Sequence, residues 1–130
     1  MSEGKAKKYE DLLKSIVELL KDSRNWVTNT ANVSSIVYHE LIKTFQTPVN
    51  WVGFYLKVAQ PNDESLYLGP FQGEIACVHI PDGKGVCGTS AKKRQTVLVP
   101  NVHEFPGHIA CSDKTNSEIV IPMVKADGVG

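Results

Sequence analysis

The sequence lacks an excess of charge of either sign. Its 130 residues include 14 Lys and Arg against 14 Asp and Glu, so the formal net charge is zero. A protein that binds the phosphates of a nucleic acid needs a clear excess of basic residues, and so does one that binds an anionic membrane through a polybasic surface. The charge balance therefore argues against both classes of partner.

Long hydrophobic runs are also missing from the sequence. No apolar stretch approaches the roughly 18 residues that a transmembrane helix requires. Residues 1–8 are polar and rich in lysine, and no apolar region follows them as it would in a secretory signal. We therefore expect a cytoplasmic protein. In that compartment cysteines are reduced thiols or redox-active groups rather than structural disulfides.

Cysteine is scarce, and its spacing is unlike that of the familiar metal motifs. Cys77, Cys87 and Cys111 include no Cys-x-x-Cys pair, so a zinc ribbon and a thioredoxin-type motif are both absent. A zinc site built from these thiols with His103 or His108 would also depart from the spacing of a zinc finger. We therefore expect no metal site.

The residues that are present predict one α+β domain. Chain length and a hydrophobic fraction of 42% are sufficient for one core, so residues 1–130 are expected to form a single domain. Apolar residues at three- and four-residue spacing predict helices within about 6–45, the second beginning near 28–30. From about residue 49 the pattern changes to runs typical of antiparallel hairpins. The helices are then expected to cover one face of a central antiparallel sheet.

Turn signals divide the rest of the chain into short elements. A tight turn is predicted at 126–128, and because no return strand follows it, we expect the C-terminal part of the domain to be truncated. The predicted strands are 49–59, 66–68, 74–80, 97–99 and 118–125, with a short helix at 86–93.

Two cysteines lie where the sequence favours a thiolate. Cys87 follows a glycine-rich turn and lies near the start of the predicted helix, where the helix dipole would lower its pKa. Cys111 lies in a polar loop three residues after His108, and a nearby imidazole favours the thiolate. Cys77, on a predicted strand, is as consistent with a small buried hydrophobic residue as with a reactive group.

Two aromatic residues and one carboxylate complete the candidate site. Trp51 and Tyr55 are four residues apart on a predicted strand, so they face the same side, as a core pair or as an aromatic wall for a small ligand. Glu118 opens the last predicted strand, and is either a solvated carboxylate or a group that binds a ligand amine or donates a proton. The residues alone leave these alternatives open.

Six short motifs stand out in the second part of the sequence. They are NWVGFYL at 50–56, LGPFQG at 68–73, IAC at 75–77, GKGVCGT at 83–89, GHIAC at 107–111 and SEIV at 117–120. Together they resemble those of the free methionine-(R)-sulfoxide reductases, which are GAF-domain proteins. The resemblance runs from about Val33 to the last residue, and it implies a GAF-like fold. It also implies an enzyme of the oxidative-stress response that reduces free L-methionine-(R)-sulfoxide but not sulfoxide within proteins.

The resemblance further implies a thiol mechanism that needs neither a metal nor an organic cofactor. One thiolate attacks the sulfoxide sulfur, releases methionine and becomes a sulfenic acid, which a second thiol converts to a disulfide. Thioredoxin then reduces the disulfide by exchange. By resemblance Cys111 is the attacking thiol and Cys87 its resolving partner, in an order that stays open. Cys77 is a second resolving or relay thiol.

By the same resemblance, Trp51 and Tyr55 form an aromatic wall around the methyl group of the substrate, and Glu118 recognises or protonates it. The family pattern continues past 126–128 into a strand with two acidic residues and then a helix, which this sequence does not contain. A homodimer is a further implication. The alternatives are a non-enzymatic GAF module that binds a small ligand or senses redox state, and an inactive truncated fragment.

Overall fold

The computed structural model describes residues 2–57, 60–107 and 115–125. These residues divide into two compact units, the first within 1–54 and 69–74 and the second within 55–68 and 75–130. The single-domain assignment stays a prediction. The elements, in chain order, are α1 (Glu3–Leu20), α2 (Trp26–Lys43), β1 (Trp51–Lys57), β2 (Leu66–Gly73), β3 (His79–Ile80), α3 (Gly85–Lys93), β4 (Val97–Val99), a 3-10 turn (Val102–Glu104) and β5 (Glu118–Val120).

Both N-terminal helices begin at residues that cap them. Ser2 Oγ accepts a hydrogen bond of 3.1 Å from the backbone N–H of Lys5, and Asn25 Oδ1 accepts one of 3.0 Å from Thr28. The predicted start of α2 at 28–30 was therefore too late. The capping residue is Asn25, whose side chain accepts the hydrogen bond of the first turn, and not one of the threonines at 28–30. No helix among the described residues has both the length and the apolar character needed to cross a bilayer.

The first unit joins the two helices to the second half of β2. The helices pack against each other, and the rings of Tyr9 and Phe45 lie 4.4 Å apart between centroids. The fully buried Ser34 of α2 donates its hydroxyl to the carbonyl of Thr30 at 2.7 Å and to that of Pro70 on β2 at 3.2 Å. The packing of helix against sheet is therefore confirmed within this unit.

The described strands form a three-stranded sheet of order β1-β2-β3 and a two-stranded sheet of β4 and β5. Strand β2 pairs antiparallel with β3, with Leu66 opposite Ile80. Strand β4 pairs antiparallel with β5, with Val99 opposite Glu118. The antiparallel pairing is as predicted. Strand β1 begins two residues later than expected and β2 continues to Gly73, five residues beyond the prediction, whereas β3 and β5 are much shorter than expected.

The shortening of β3 and β5 has local features beside it. The strand predicted at 74–80 is reduced to His79–Ile80, and in the irregular segment before it the Cys77 carbonyl accepts a hydrogen bond from the Tyr55 side chain. The strand predicted at 118–125 ends at Val120. Pro122 follows it, and a proline has no N–H to donate to a ladder.

The second unit has a small aliphatic core that positions α3 and β5. Its buried residues are Val86, Val99 and Val102. The fully buried Ser90 of α3 donates its hydroxyl to the carbonyl of Gln95 at 2.8 Å, which ties down the end of the helix. Partly buried residues packed against this core are Val97, Phe105 and Val120.

Candidate functional site

The structure describes five of the six predicted site residues. Cys111 lies outside the described residues, as does His108 near it. Trp51 belongs to the first unit. The remaining four lie in the second unit: Tyr55, Cys77, Cys87 and Glu118.

Cys77 lies half-buried in the irregular segment between β2 and β3. The phenol of Tyr55, on β1, donates a hydrogen bond of 2.7 Å to the backbone carbonyl of Cys77. The next carbonyl, that of Val78, accepts a bond of 2.9 Å from the backbone N–H of Leu68. The carbonyls of Cys77 and Val78 thus both accept hydrogen bonds, the first from a side chain on β1 and the second from the backbone of β2.

Cys77 is disulfide-bonded, whereas Cys87 is a free thiol. The interpretation of Cys77 as a buried hydrophobic residue therefore does not hold. The expected disulfide at Cys87 is also not what this structure contains. The surroundings of Cys87 on α3 supply the physical reason.

Cys87 is the third residue of α3, as the glycine-rich turn predicted. Burial and, secondly, the carboxylate of Glu118 raise the pKa of its thiol to about 12. The prediction of a lowered pKa was therefore wrong, because desolvation and a neighbouring negative charge outweigh the favourable end of the helix dipole. At neutral pH the Cys87 thiol is protonated, and it can donate a hydrogen bond but is a poor nucleophile.

Tyr55 shares these surroundings. Burial raises the pKa of its phenol to about 12, with smaller contributions from Cys87 and Glu118. Glu118 contributes to the raised pKa of both Tyr55 and Cys87, and Cys87 contributes to that of Tyr55. The three side chains therefore lie within electrostatic reach of one another in the second unit. The arrangement places two neutral donors, an O–H and an S–H, near one carboxylate.

Glu118 is the first residue of β5 and is half-buried, as its position at the start of the last predicted strand suggested. Its backbone pairs with Val99, a residue of the aliphatic core. The carboxylate is therefore carried by a strand edge that the core holds in place.

Trp51 lies on β1, like Tyr55, and its ring stacks on that of Phe71 at 5.8 Å between centroids and 21° between planes. No role was predicted for Phe71. Gly53 was the feature of the sequence that could have indicated this contact, because a glycine within a strand often marks the close approach of another residue. In the structure, a Cβ at Gly53 would clash with Phe71. The role of Trp51 toward a substrate stays a prediction.

Of the two histidines considered as zinc ligands, His103 and His108, the structure describes His103. It is exposed within the 3-10 turn, and its backbone N–H donates a bond of 3.0 Å to Asn101 Oδ1. Across residues 2–57, 60–107 and 115–125, no three His, Cys, Asp or Glu side chains are grouped as metal ligands would be.

No protein-family model matches the sequence. Among characterised proteins, it is 47% identical over 119 residues to the free methionine-R-sulfoxide reductase of Saccharomyces cerevisiae, covering 92% of this chain and 65% of that protein. It is 44% identical over 121 residues to the free methionine-R-sulfoxide reductase of Escherichia coli, covering 93% of this chain and 68% of that protein. The chain belongs to the free methionine-R-sulfoxide reductase family.

Solved structures with similar sequences show which fold the chain adopts. A GAF domain structure is 46% identical with a TM-score of 0.89, covering 96% of this chain and 70% of that one. The free methionine-R-sulfoxide reductase of Neisseria meningitidis, solved in complex with its substrate, is 40% identical with a TM-score of 0.83, covering 99% of this chain and 72% of that one. The predicted GAF-like α+β fold is confirmed. The chain spans about two thirds of the length of the curated relatives described above.

Proposed function

We propose that this chain reduces free methionine-(R)-sulfoxide to methionine with its own thiols. The observation that carries the proposal is the disulfide at Cys77, close to Tyr55, in a chain that belongs to the free methionine-R-sulfoxide reductase family. A disulfide is the product that a thiol reductase leaves behind after it has reduced a sulfoxide.

The proposed cycle balances atoms and electrons in three steps. The thiolate of Cys111 attacks the sulfoxide sulfur, methionine leaves, and the oxygen stays on Cys111 as a sulfenic acid. A second thiol attacks the sulfenic sulfur, the S–O bond breaks, and water leaves as the disulfide forms. A dithiol reductant, for which we propose thioredoxin, then restores both thiols by exchange.

We infer that Cys77, rather than Cys87, is the resolving thiol. Cys77 is already in a disulfide, whereas Cys87 is free. The raised pKa of Cys87 keeps its thiol protonated, and thiol exchange proceeds through the thiolate. The only other cysteine of the chain is Cys111, which we therefore propose as the attacking thiol and as the partner of Cys77.

The other groups of the site suit the substrate. We propose that the rings of Trp51 and Tyr55 surround the methyl group, because aromatic faces bind apolar groups. Glu118 is a half-buried carboxylate and is suited to bind the substrate ammonium group or to supply a proton. We further propose a cytoplasmic location, where thiols are kept reduced, and a homodimer.

A coupled assay tests the reaction. Oxidation of NADPH by thioredoxin reductase and thioredoxin is followed with free L-methionine-(R)-sulfoxide, its S epimer and an R-sulfoxide peptide. We expect turnover of the free R epimer alone and its loss in Cys111→Ser. Turnover of the S epimer or the peptide at the same rate, or no turnover by a chain that melts cooperatively, would contradict the proposed function.

Quantifying the methionine released in the same reactions separates the roles of the thiols. We expect Cys77→Ser to release about one methionine per chain and then stop, because the sulfenic acid has no resolving partner. Cys87→Ser is expected to keep turning over and serves as the matched control. A variant Cys87→Ser that stalls after one turnover would return the resolving role to Cys87.

A further inference from the structure

The hydrogen bond from Tyr55 to Cys77 points to a role for the tyrosine besides that of an aromatic surface. We propose that Tyr55 is a positioning residue for the resolving thiol, holding the backbone of Cys77 in the conformation in which it forms its disulfide. The proposal rests on the proposed function above, because it concerns the second step of that cycle.

Side-chain packing does little to hold the segment that contains Cys77. Its neighbours Ile75 and Val78 are 84% and 70% exposed, and residues 74–77 lie outside any strand. In the reduced chain, where the disulfide at Cys77 is absent, hydrogen bonds to its backbone therefore help to hold it. Two consecutive carbonyls carry such bonds, that of Cys77 from Tyr55 and that of Val78 from Leu68.

The bond from Tyr55 acts close to the thiol without touching it. The carbonyl carbon of Cys77 is bonded directly to the Cα that carries the side chain, so fixing this carbonyl restricts where Sγ can lie. The donor comes from a strand, β1, and a site positioned from regular structure is more precise than one positioned from a loop. At 2.7 Å the O–H···O distance is that of a well-formed hydrogen bond.

The phenol also keeps its proton. Burial, with Cys87 and Glu118, raises the pKa of Tyr55 to about 12. A carbonyl oxygen only accepts hydrogen bonds, so an ionised phenolate would lose this contact. The raised pKa therefore keeps Tyr55 protonated, and so a hydrogen-bond donor, at neutral pH.

The experiment isolates the second step from substrate binding. The reduced chain receives one equivalent of hydrogen peroxide and no methionine sulfoxide. The peroxide converts one thiol to a sulfenic acid with release of water, and the resolving thiol then forms the disulfide with release of a second water. Dimedone, which traps sulfenic acids, is added at set times. Mass spectrometry then measures the trapped and disulfide-bonded fractions.

We expect Tyr55→Phe, which keeps the ring and removes the donor, to slow disulfide formation roughly tenfold and to increase the dimedone-trapped fraction accordingly. Tyr67→Phe is the matched control, since that tyrosine is 42% exposed on β2 with its ring against His79. Tyr67→Phe should give the same dimedone-trapped and disulfide-bonded fractions as the parent chain. Equal partition in Tyr55→Phe and the parent chain would overturn the proposal.

A second variant covers the case in which Tyr55→Phe does not fold. A 3,5-difluorotyrosine installed at position 55 keeps the shape of tyrosine but ionises at lower pH. We expect its disulfide formation to fall as the phenol ionises, which a purely structural role of the ring would not produce. A pH profile identical to that of the parent chain would refute the proposal.

The peroxide experiment also separates this proposal from the function it rests on. A parent chain that forms no disulfide at Cys77 contradicts the resolving step of the proposed cycle, and the positioning role with it. A parent chain that forms the disulfide, with Tyr55→Phe equally fast, contradicts the positioning role alone.

Discussion

Cys87 lies within electrostatic reach of Glu118, and burial of the thiol, followed by the charge of this carboxylate, raises its pKa from an ordinary value of 9.0 to about 12. With its pKa raised this far, the Cys87 thiol is protonated at neutral pH. The structure therefore describes two kinds of cysteine in one unit, a disulfide-bonded Cys77 and a protonated, free Cys87.

Glu118→Gln is expected to lower the pKa of Cys87, because it removes the negative charge that opposes the thiolate. The pKa should stay above its ordinary value, since burial is the larger cause. The measurement is the rate of iodoacetamide alkylation against pH in a chain that also carries Cys77→Ser and Cys111→Ser. Glu104→Gln, at an exposed position in the 3-10 turn, is the control. A profile unchanged by Glu118→Gln would contradict the prediction.

The free energy of unfolding of the reduced chain should fall as the pH rises above 9. The native state binds the Cys87 proton more tightly than the unfolded state does, so between pH 9 and 12 unfolding releases a proton. Such a group lowers stability by up to about 1.4 kcal/mol per pH unit, and Tyr55 adds to this above pH 10. Urea titrations at several pH values measure the slope. Cys87→Ser should flatten it, and equal slopes in both chains would refute the assignment.

Gly88→Ala should destabilise the chain by about 1–3 kcal/mol. A Cβ at Gly88 would lie 2.9 Å from the carbonyl carbon of Gly83 and 3.2 Å from its nitrogen, and these are backbone atoms that cannot turn aside. Gly4→Ala is the control, because a Cβ there meets nothing within 4 Å on α1. It should be neutral or stabilising by up to about 1 kcal/mol. Thermal unfolding compares the two, and an equal effect of both would rule out the contact as the cause.

Ser34→Ala should cost about 1–2 kcal/mol of stability. Ser34 is fully buried and its hydroxyl bonds to the carbonyls of Thr30 and Pro70, so the substitution removes a link between α2 and β2. Ser15→Ala removes an exposed hydroxyl that bonds only within α1, to Asp11, and should stay within about 0.5 kcal/mol. Chemical denaturation measures both. A loss from Ser34→Ala no larger than that from Ser15→Ala would show that this link is dispensable.

Periodicity and turn chemistry predicted much of the architecture. The helix predicted at 86–93 is α3, and the strand at 97–99 is β4 to the residue. The errors lie at the ends of elements. Asn25 begins α2 earlier than expected, Pro122 follows the early end of β5, and the Tyr55 phenol bonds to the Cys77 carbonyl among residues predicted as a strand. This last contact joins residues 22 positions apart, so a local pattern does not contain it.

The site was predicted less completely than the fold, for a related reason. Resemblance identified the family and the residues, but the state of Cys87 depends on burial and on a carboxylate 31 positions further along the chain. A helix start is visible in a sequence, whereas desolvation is a property of the folded chain. The pairing of Trp51 with Phe71 was hidden for the same reason, although Gly53 marked the space between them.

The first unit is discontinuous in the chain, since residues 1–54 are completed by residues 69–74, and this orders events during synthesis. The ribosome makes α1, α2 and the start of β1 before the part of β2 against which α2 is fastened. At about 5–20 residues per second, the twenty positions from 55 to 74 take roughly 1–4 s. Until position 70 is reached, within that interval, Ser34 has no acceptor on β2. The link between α2 and β2 therefore forms only after the chain has passed through residues that belong to the other unit.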